Sequence, residues 1–259
     1  MGCECTGSYD AARRSLLAVV VTVVVAPTVA AAGAARCAED RPMLPLVPGT
    51  QWVYRGTIES TVLKRGSAHL IRRTVTRTME VRAVERHRRT TVAVVKGHPR
   101  ELAWYQPGRP RGSYLVIQRE GGAVYLVADD GGSALQRWRE TCRAPPIPDP
   151  AHMMLDRILQ VGRTFGGDEF SGKRPDKWYQ WHVEAARCAQ IAGIPGVDAK
   201  RRRREYRIGF RTCPAHEIVH FVPGIGITRY VFSHHGTVAE ADVRLIEFRR
   251  GVATHTGGS

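Results

Sequence analysis

From residue 50 onward the chain is a succession of short β-branched and aromatic runs broken by glycine, proline or charge, a rhythm that fits strands far better than helices. "TQWVYRGTIESTVL" opens the series, "HLIRRTVTRTMEVRAVERH" and "TTVAVVKG" follow, and "ELAWYQ", "SYLVIQRE" and "AVYLVADD" continue it. Within residues 69 to 86, Leu70, Arg72, Thr74, Thr76 and Thr78 oppose Ile71, Val75, Met79 and Val81 imperfectly. That pattern predicts a strand with a bulge or a break in register. Glu120-Gly121-Gly122 joins the last two runs as a hairpin. Runs at this spacing predict an antiparallel sheet or a barrel.

Three segments depart from the rhythm. "APPIPDP", residues 144 to 150, is proline-rich, and fixed φ angles with missing donors exclude regular pairing there. After it "AHMMLDRILQVG" places Met153, Met154, Leu155, Ile158 and Leu159 at helical spacing before Gly162, which predicts one short helix near residues 150–160. "AGIPGVDAKRRRRE" breaks the strand pattern, and its Lys200, Arg201, Arg202, Arg203 and Arg204 read as a solvated loop. The functional alternative for that loop is weak contact with anionic surfaces. The final runs, "EYRIGFRTC", "HEIVHFV", "GIGITRYVFSHHG" and "TVAEADVRLIEFRR", predict a four-stranded meander. The expected fold is mainly β: a curved antiparallel sheet or incomplete barrel, with the helix packed against it or plugging it.

The N-terminus has its own logic. Arg13 and Arg14 precede the apolar run "SLLAVVVTVVVA", and small residues follow Pro27 as far as Cys37. This is the layout of a secretory signal, so residues 1–32 are expected to be a signal peptide, with the mature chain beginning between Gly33 and Cys37. Residues 33–44 then form a linker, 45–250 a single β domain and 251–259 a flexible tail. The product is exported, periplasmic or secreted. The alternative is an uncleaved anchor, because residues 16–35 are long enough to span a bilayer. A lipidated Cys37 is disfavoured by Arg36, and "RRSLL" matches a twin-arginine signal only in its arginines and leucines.

Charge and cysteine content sharpen this picture. The net charge of +15 is unchanged by removing residues 1–32, which carry Arg13 and Arg14 against Glu4 and Asp10. Such a surface attracts polyanions in general, but no base-reading module is present and no specific nucleic acid is expected. Cys3 and Cys5 lie in the signal, which leaves Cys37, Cys142, Cys188 and Cys213. In an exported chain these predict two disulfides with three possible connectivities. The favoured pairing is Cys188 with Cys213, across the arginine loop, and Cys37 with Cys142.

His216-Glu217-Ile218-Val219-His220 spells the H-E-x-x-H pattern of zinc hydrolases. That chemistry needs a helix, where positions i and i+4 share a face. Four residues of strand span about 13 Å at roughly 3.3 Å each, too far for two imidazoles to share one ion. Pro214 stands just before the motif, Ile218 and Val219 within it are β-branched, and Pro223-Gly224 follows. The segment is therefore expected to be a strand. No metal, cofactor or catalytic residue is assigned; a hydrolase using His216, Glu217 and His220, with Glu240 as a third ligand, is the alternative. Asp129-Asp130 before Gly131-Gly132 reads as a turn rather than a calcium site, and His234-His235 before Gly236 as a hairpin turn. Trp52, Tyr54, Trp178 and Trp181 are expected in core and rim packing.

Two motifs carry a resemblance. "LPLVPGTQWVYRG", through Pro45, Gly49, Trp52 and Tyr54, and "FVPGIGITRYVFSHHGT", through Pro223, Gly224, Ile225, Gly226, Ile227 and Tyr230, resemble paired signatures of exported bacterial proteins of unknown function. That group is similar to the incomplete barrels of periplasmic lipoprotein carriers, which hold an acyl chain between a curved sheet and a helix. The cysteines and the arginine-rich loop depart from the group. The resemblance implies a non-enzymatic envelope protein binding an apolar or amphipathic ligand, or an envelope partner, on the concave face of the sheet. A purely structural envelope protein is the other reading.

Overall fold

The computed structural model describes Cys37, residues 43–129, Gln136, and residues 149–167, 174–234 and 240–252. Its strands are β1 (Gln51–Lys64), β2 (Ser67–His87), β3 (Thr90–Lys96), β4 (Ser113–Arg119), β5 (Val124–Asp129), β6 (Met153–Leu155), β7 (Thr164–Phe165), β8 (Trp181–Gln190), β9 (Arg202–Arg211), β10 (Ala215–Val222), β11 (Gly226–His234) and β12 (Glu240–Arg249). They form one sheet in the order β6-β5-β4-β3-β2-β1-β12-β11-β10-β9-β8-β7. Neighbouring strands pair antiparallel throughout, and the sheet curls into a nearly closed barrel with one unsealed seam between β6 and β7. The mainly β, incomplete-barrel expectation describes it well.

Closure depends on pairing β1 with β12, from Gln51 opposite Arg249 to Glu59 opposite Glu240. Trp52, Tyr54 and Ile58 point inward at period two and are essentially fully buried, as are Phe221 and Tyr230 from β10 and β11. The interior is filled by the chain's own side chains. Bulges between Val53 and Tyr54, Val81 and Ala83, Val183 and Ala185, and His220 and Phe221 supply curvature where a regular ladder would stay flatter. The bulge in β2 lies within the run whose alternation is imperfect. The two signature segments meet: Trp52 Nε1 donates to the Ile225 carbonyl at 2.5 Å and Tyr54 Oη to the Ile227 carbonyl at 3.1 Å. Gly226, at φ 113°, takes a backbone conformation that side chains rarely adopt, and a Cβ there would also lie tightly, 3.1 Å from Trp52 Nε1.

Two expectations are corrected. The segment near 150–160 is not an α-helix: Asp149 caps a single 3-10 turn, Pro150–His152, and the chain then pairs as β6 against Val124 and Tyr125. Its apolar spacing reflects burial of Met154 and Leu155 at a sheet edge, where β5 offers unpaired backbone groups that a helix would leave orphaned. The arginine run is also only half loop. Lys200 and Arg201 lie in a turn, whereas Arg202, Arg203 and Arg204 open β9 opposite Gln190, Ala189 and Cys188.

The interior is plugged from a different place. The 3-10 helix Pro99–Trp104, between β3 and β4, buries Leu102 and Ala103 and packs against β11 and β12. It caps the end of the sheet where β3, β9 and β11 finish and β4, β8 and β10 begin. Sequence patterning reads this stretch as the strand "ELAWYQ"; Pro99 after the buried acceptor His98 starts a 3-10 turn instead, with the Arg100 amide donating to His98 Nδ1 at 3.2 Å.

Candidate functional site

The H-E-x-x-H segment is strand β10, and alternation puts its residues on opposite faces. His216 and His220 face outward. His216 Nε2 lies 3.9 Å from Glu184 Oε1, and His220 Nδ1 lies 3.7 Å from Glu205 Oε1. Glu205 also accepts from Arg187 Nε at 2.6 Å and Thr228 Oγ1 at 3.2 Å. The His220 ring first, and Arg187 after it, hold the Glu205 carboxyl down at about 2 against the opposing effect of burial. Glu217 points the other way, into the barrel. The residues of the zinc-hydrolase pattern are thus divided between two sides of a sheet, and among the described residues no group of three or more His, Cys, Asp or Glu is placed to hold a metal ion.

Inside, Glu217 belongs to a buried polar cluster at the plugged end. Arg100 Nε sits 3.2 Å from Glu217 Oε2, and the Arg100 guanidinium lies 5.9 Å from the centre of the Trp181 ring. Burial raises the Glu217 carboxyl, partly offset by Arg100. The Tyr230 hydroxyl, fully buried, is raised well above its ordinary value by burial and then by the nearby Glu217. On the opposite wall Arg77 projects inward from β2 beside Tyr54 and pairs with Glu101 of the plug. His98 is buried against Tyr114, with ring centres 5.7 Å apart, and burial first and Arg100 second lower it to about 3. A cavity of about 390 Å³ adjoins these groups, walled by Trp104, Phe210 and Phe232. An arginine among inward-facing Val75, Met79 and Val81 was the signal for this cluster in the sequence.

The other end is open. A cavity of about 850 Å³ lies among the β2–β3 turn, the β4–β5 turn, the β6–β7 connection, the β10–β11 turn and the start of β9. Tyr206 and Gln118, both buried, line it together with Met43, Ile158, Leu159 and Pro223. Gln118 Oε1 accepts from the Leu44 amide at 2.9 Å, which fixes the N-terminal segment beside the opening. Six arginines line the same cavity: Arg86, Arg88, Arg89, Arg119, Arg157 and Arg204. Of these Arg89 pairs with Glu120 at 2.9 Å, and the other five have no carboxylate partner among the described residues. Of the run singled out in the sequence, Arg204 reaches this cavity. The remaining five arginines are scattered from Arg86 to Arg157 in the sequence, and only knowledge of which hairpin ends share a side brings them together.

The disulfide expectation is corrected in its pairing. Cys37 bonds Cys188, closing 151 residues of sequence, in place of the Cys188–Cys213 and Cys37–Cys142 bridges. Arg211 and His216 are register partners, so Cys213 sits in the short β9–β10 turn, at the far end of the sheet from Cys188, which lies opposite Arg204. Cys142, Asp130, Gly131, Gly132, His235 and Gly236 lie outside the described residues, so the second disulfide and the two turn expectations that fall on them do as well. Trp52, Tyr54 and Trp181 are core residues and Trp178 is half-buried.

No family model matches the chain, and no curated protein matches it. Two solved structures are similar to it. One, from Bacteroides fragilis and provisionally described as an exported protein with a YmcC-like fold, shares 11% identity at a TM-score of 0.34, over 82% of this chain and 100% of that one. The other, from Parabacteroides distasonis and provisionally described as a lipoprotein, shares 13% identity at a TM-score of 0.36, over 83% of this chain and 100% of that one. At these scores the likeness carries no functional argument, and the reading below rests on the chain's own geometry.

Proposed function

We propose that the protein is an exported, non-enzymatic binding protein that takes an amphipathic ligand into its open end. The observation that carries this is the cavity of about 850 Å³, within the usual range for small-molecule sites, at the end of a barrel whose middle is filled by its own core. Ile158, 43% exposed, and Leu159 form an apolar wall there beside a polar floor of Gln118. The ligand accordingly sits in the mouth, not along the concave face, which Trp52, Tyr54, Phe221 and Tyr230 already fill. Export is supported by the basic and apolar N-terminal pattern and by a disulfide that suits an oxidising compartment. A hydrolytic role is disfavoured by the division of His216 and His220 from Glu217.

Native mass spectrometry of protein purified from the envelope tests the proposal. A bound single-tailed amphiphile, lost in Ile158→Asp and Leu159→Asp, is the expected result. Protein that carries no small molecule and takes up none when offered lysolipids would leave the structural role. One zinc per chain, lost in His216→Ala or His220→Ala, would favour the hydrolase.

A further inference from the structure

We infer that the open mouth recognises an anionic, phosphate-class head group, with Arg86, Arg88, Arg119, Arg157 and Arg204 as its receptors. The inference rests on the mouth being the ligand site and adds the chemistry of the head. Four separate stretches of chain deliver these arginines: the β2–β3 hairpin, the end of β4, the β6–β7 connection and the start of β9. Elsewhere several arginines pair with acids, as in Arg229 with Asp242, Arg207 with Glu184 and Arg187 with Glu205. Among the described residues the one carboxylate lining the mouth, Glu120, is engaged by Arg89. Five guanidinium groups therefore share one concavity with no carboxylate partner among the described residues.

Guanidinium chemistry selects the partner. Its planar fork of donors matches two oxygens of a phosphate or carboxylate at once, and it gives up hydration more readily than an ammonium. A concave, partly apolar surround lowers the effective dielectric and focuses the positive field on whatever enters. A neutral or zwitterionic head would leave the field uncompensated, whereas a net anion satisfies it. The apolar wall of Ile158 and Leu159 adjoins the same opening, so a molecule with an anionic head and one apolar chain meets both features together. An extended nucleic acid has no comparable fit, since the charge lines a cavity and no base-reading element accompanies it.

Calorimetric titration of the delipidated, disulfide-bonded protein with three probes decides the matter: myristoyl lysophosphatidylglycerol, myristoyl lysophosphatidylcholine, both below their micellar concentrations, and glycerol phosphate. The anionic lysolipid should bind at least about tenfold more tightly than the zwitterionic one, the worth of one charge-assisted contact. Arg119→Gln combined with Arg204→Gln should bring the anionic lysolipid to the level of the zwitterionic one and leave the latter unchanged. Arg55→Gln combined with Arg244→Gln removes the same charge from the outer face, where these residues are cross-strand partners, and should change neither. Equal binding of both lysolipids would overturn the anionic head while leaving the amphiphile reading intact. Equal losses in the two double variants would overturn it too, by assigning the preference to the overall charge of +15. Glycerol phosphate binding as tightly as the anionic lysolipid would support the anion site and overturn the amphiphile. Binding of no probe would overturn both.

Discussion

The two ends of the barrel solve opposite problems. At the plugged end an arginine and two glutamates are drawn inside the sheet, and each is matched: Arg77 with Glu101, Glu217 with Arg100. At the open end only Arg89 has an acid partner, Glu120; five further arginines share the rim with no carboxylate partner among the described residues, and the Cys37–Cys188 bridge ties the N-terminal segment to the strand facing Arg204. Buried charge is tolerated only when paired, because desolvation of a lone ion costs several kcal/mol. Exposed charge carries little such penalty and remains available to a ligand. One end is therefore organised around paired charge and the other around unpaired charge that the proposed function assigns to recognition, and the difference predicts how substitutions at each will behave.

The largest effect should come from the bridge at the open end. Constraining a loop of 151 residues is worth about 5 kcal/mol through the unfolded chain, so Cys37→Ser should lower the urea midpoint by a corresponding amount. Peptide mapping without reduction should recover Cys37 joined to Cys188, and a Cys188–Cys213 peptide instead would move the staple away from the mouth. Next in size is Glu101→Ala at the plugged end. It leaves Arg77, whose side chain is 17% exposed, without its partner, at a cost of about 3–5 kcal/mol. Arg77→Met with Glu101→Leu removes both charges and should lie within about 1 kcal/mol of the parent. If Glu101→Ala were nearly silent, the plugged end would not be held by its ion pairs.

A third test uses pH. His98 is lowered to about 3 by burial and by Arg100, from an ordinary value near 6.5. Below about 6.5 the unfolded chain takes up a proton that the folded chain refuses, so stability contributed by neutral His98 is present above that pH and is lost as pH falls toward 3. Between pH 7 and 4 the loss is on the order of 3 kcal/mol. Glu217, raised by burial, works in the opposite direction, because its folded form binds a proton more readily than the unfolded one. The informative quantity is thus the difference between the parent and His98→Asn, which keeps an acceptor for the Arg100 amide. Their stabilities should converge as the pH is lowered, and parallel curves would show that His98 is not held neutral.

The sequence exposed the strands because burial on one face imposes period two, and it exposed the nature of β10 because Pro214, Ile218 and Val219 oppose a helix. It misled at residues 150–160, where Met153, Met154, Leu155, Ile158 and Leu159 satisfy a helical period yet only Met154 and Leu155 are deeply buried. Short apolar runs are ambiguous in this way, and the unpaired edge of β5 decided the outcome. The plug was hidden by the same ambiguity in "ELAWYQ". The candidate site was least legible of all, because Arg86, Arg119, Arg157 and Arg204 become neighbours only through the topology. The opening and closing signatures were visible as motifs, whereas the hydrogen bonds from Trp52 and Tyr54 that join them were not.

The smallest effect, and the sharpest test of the comparison, is at the rim. Arg119→Gln and Arg204→Gln each remove an exposed charge that has no carboxylate partner among the described residues, so no buried acid described there is stranded. Exposed substitutions of this kind usually change stability by less than about 0.5 kcal/mol, and relief of repulsion among the neighbouring arginines should make the change favourable. Because screening extends only about 10 Å at 0.1 M salt but about 30 Å at 0.01 M, the gain should grow as salt is lowered and vanish when it is raised. Urea midpoints at two salt concentrations measure this directly. A loss of 2 kcal/mol or more, insensitive to salt, would show that the rim arginines are structural after all, and the functional contrast between the two ends would no longer stand.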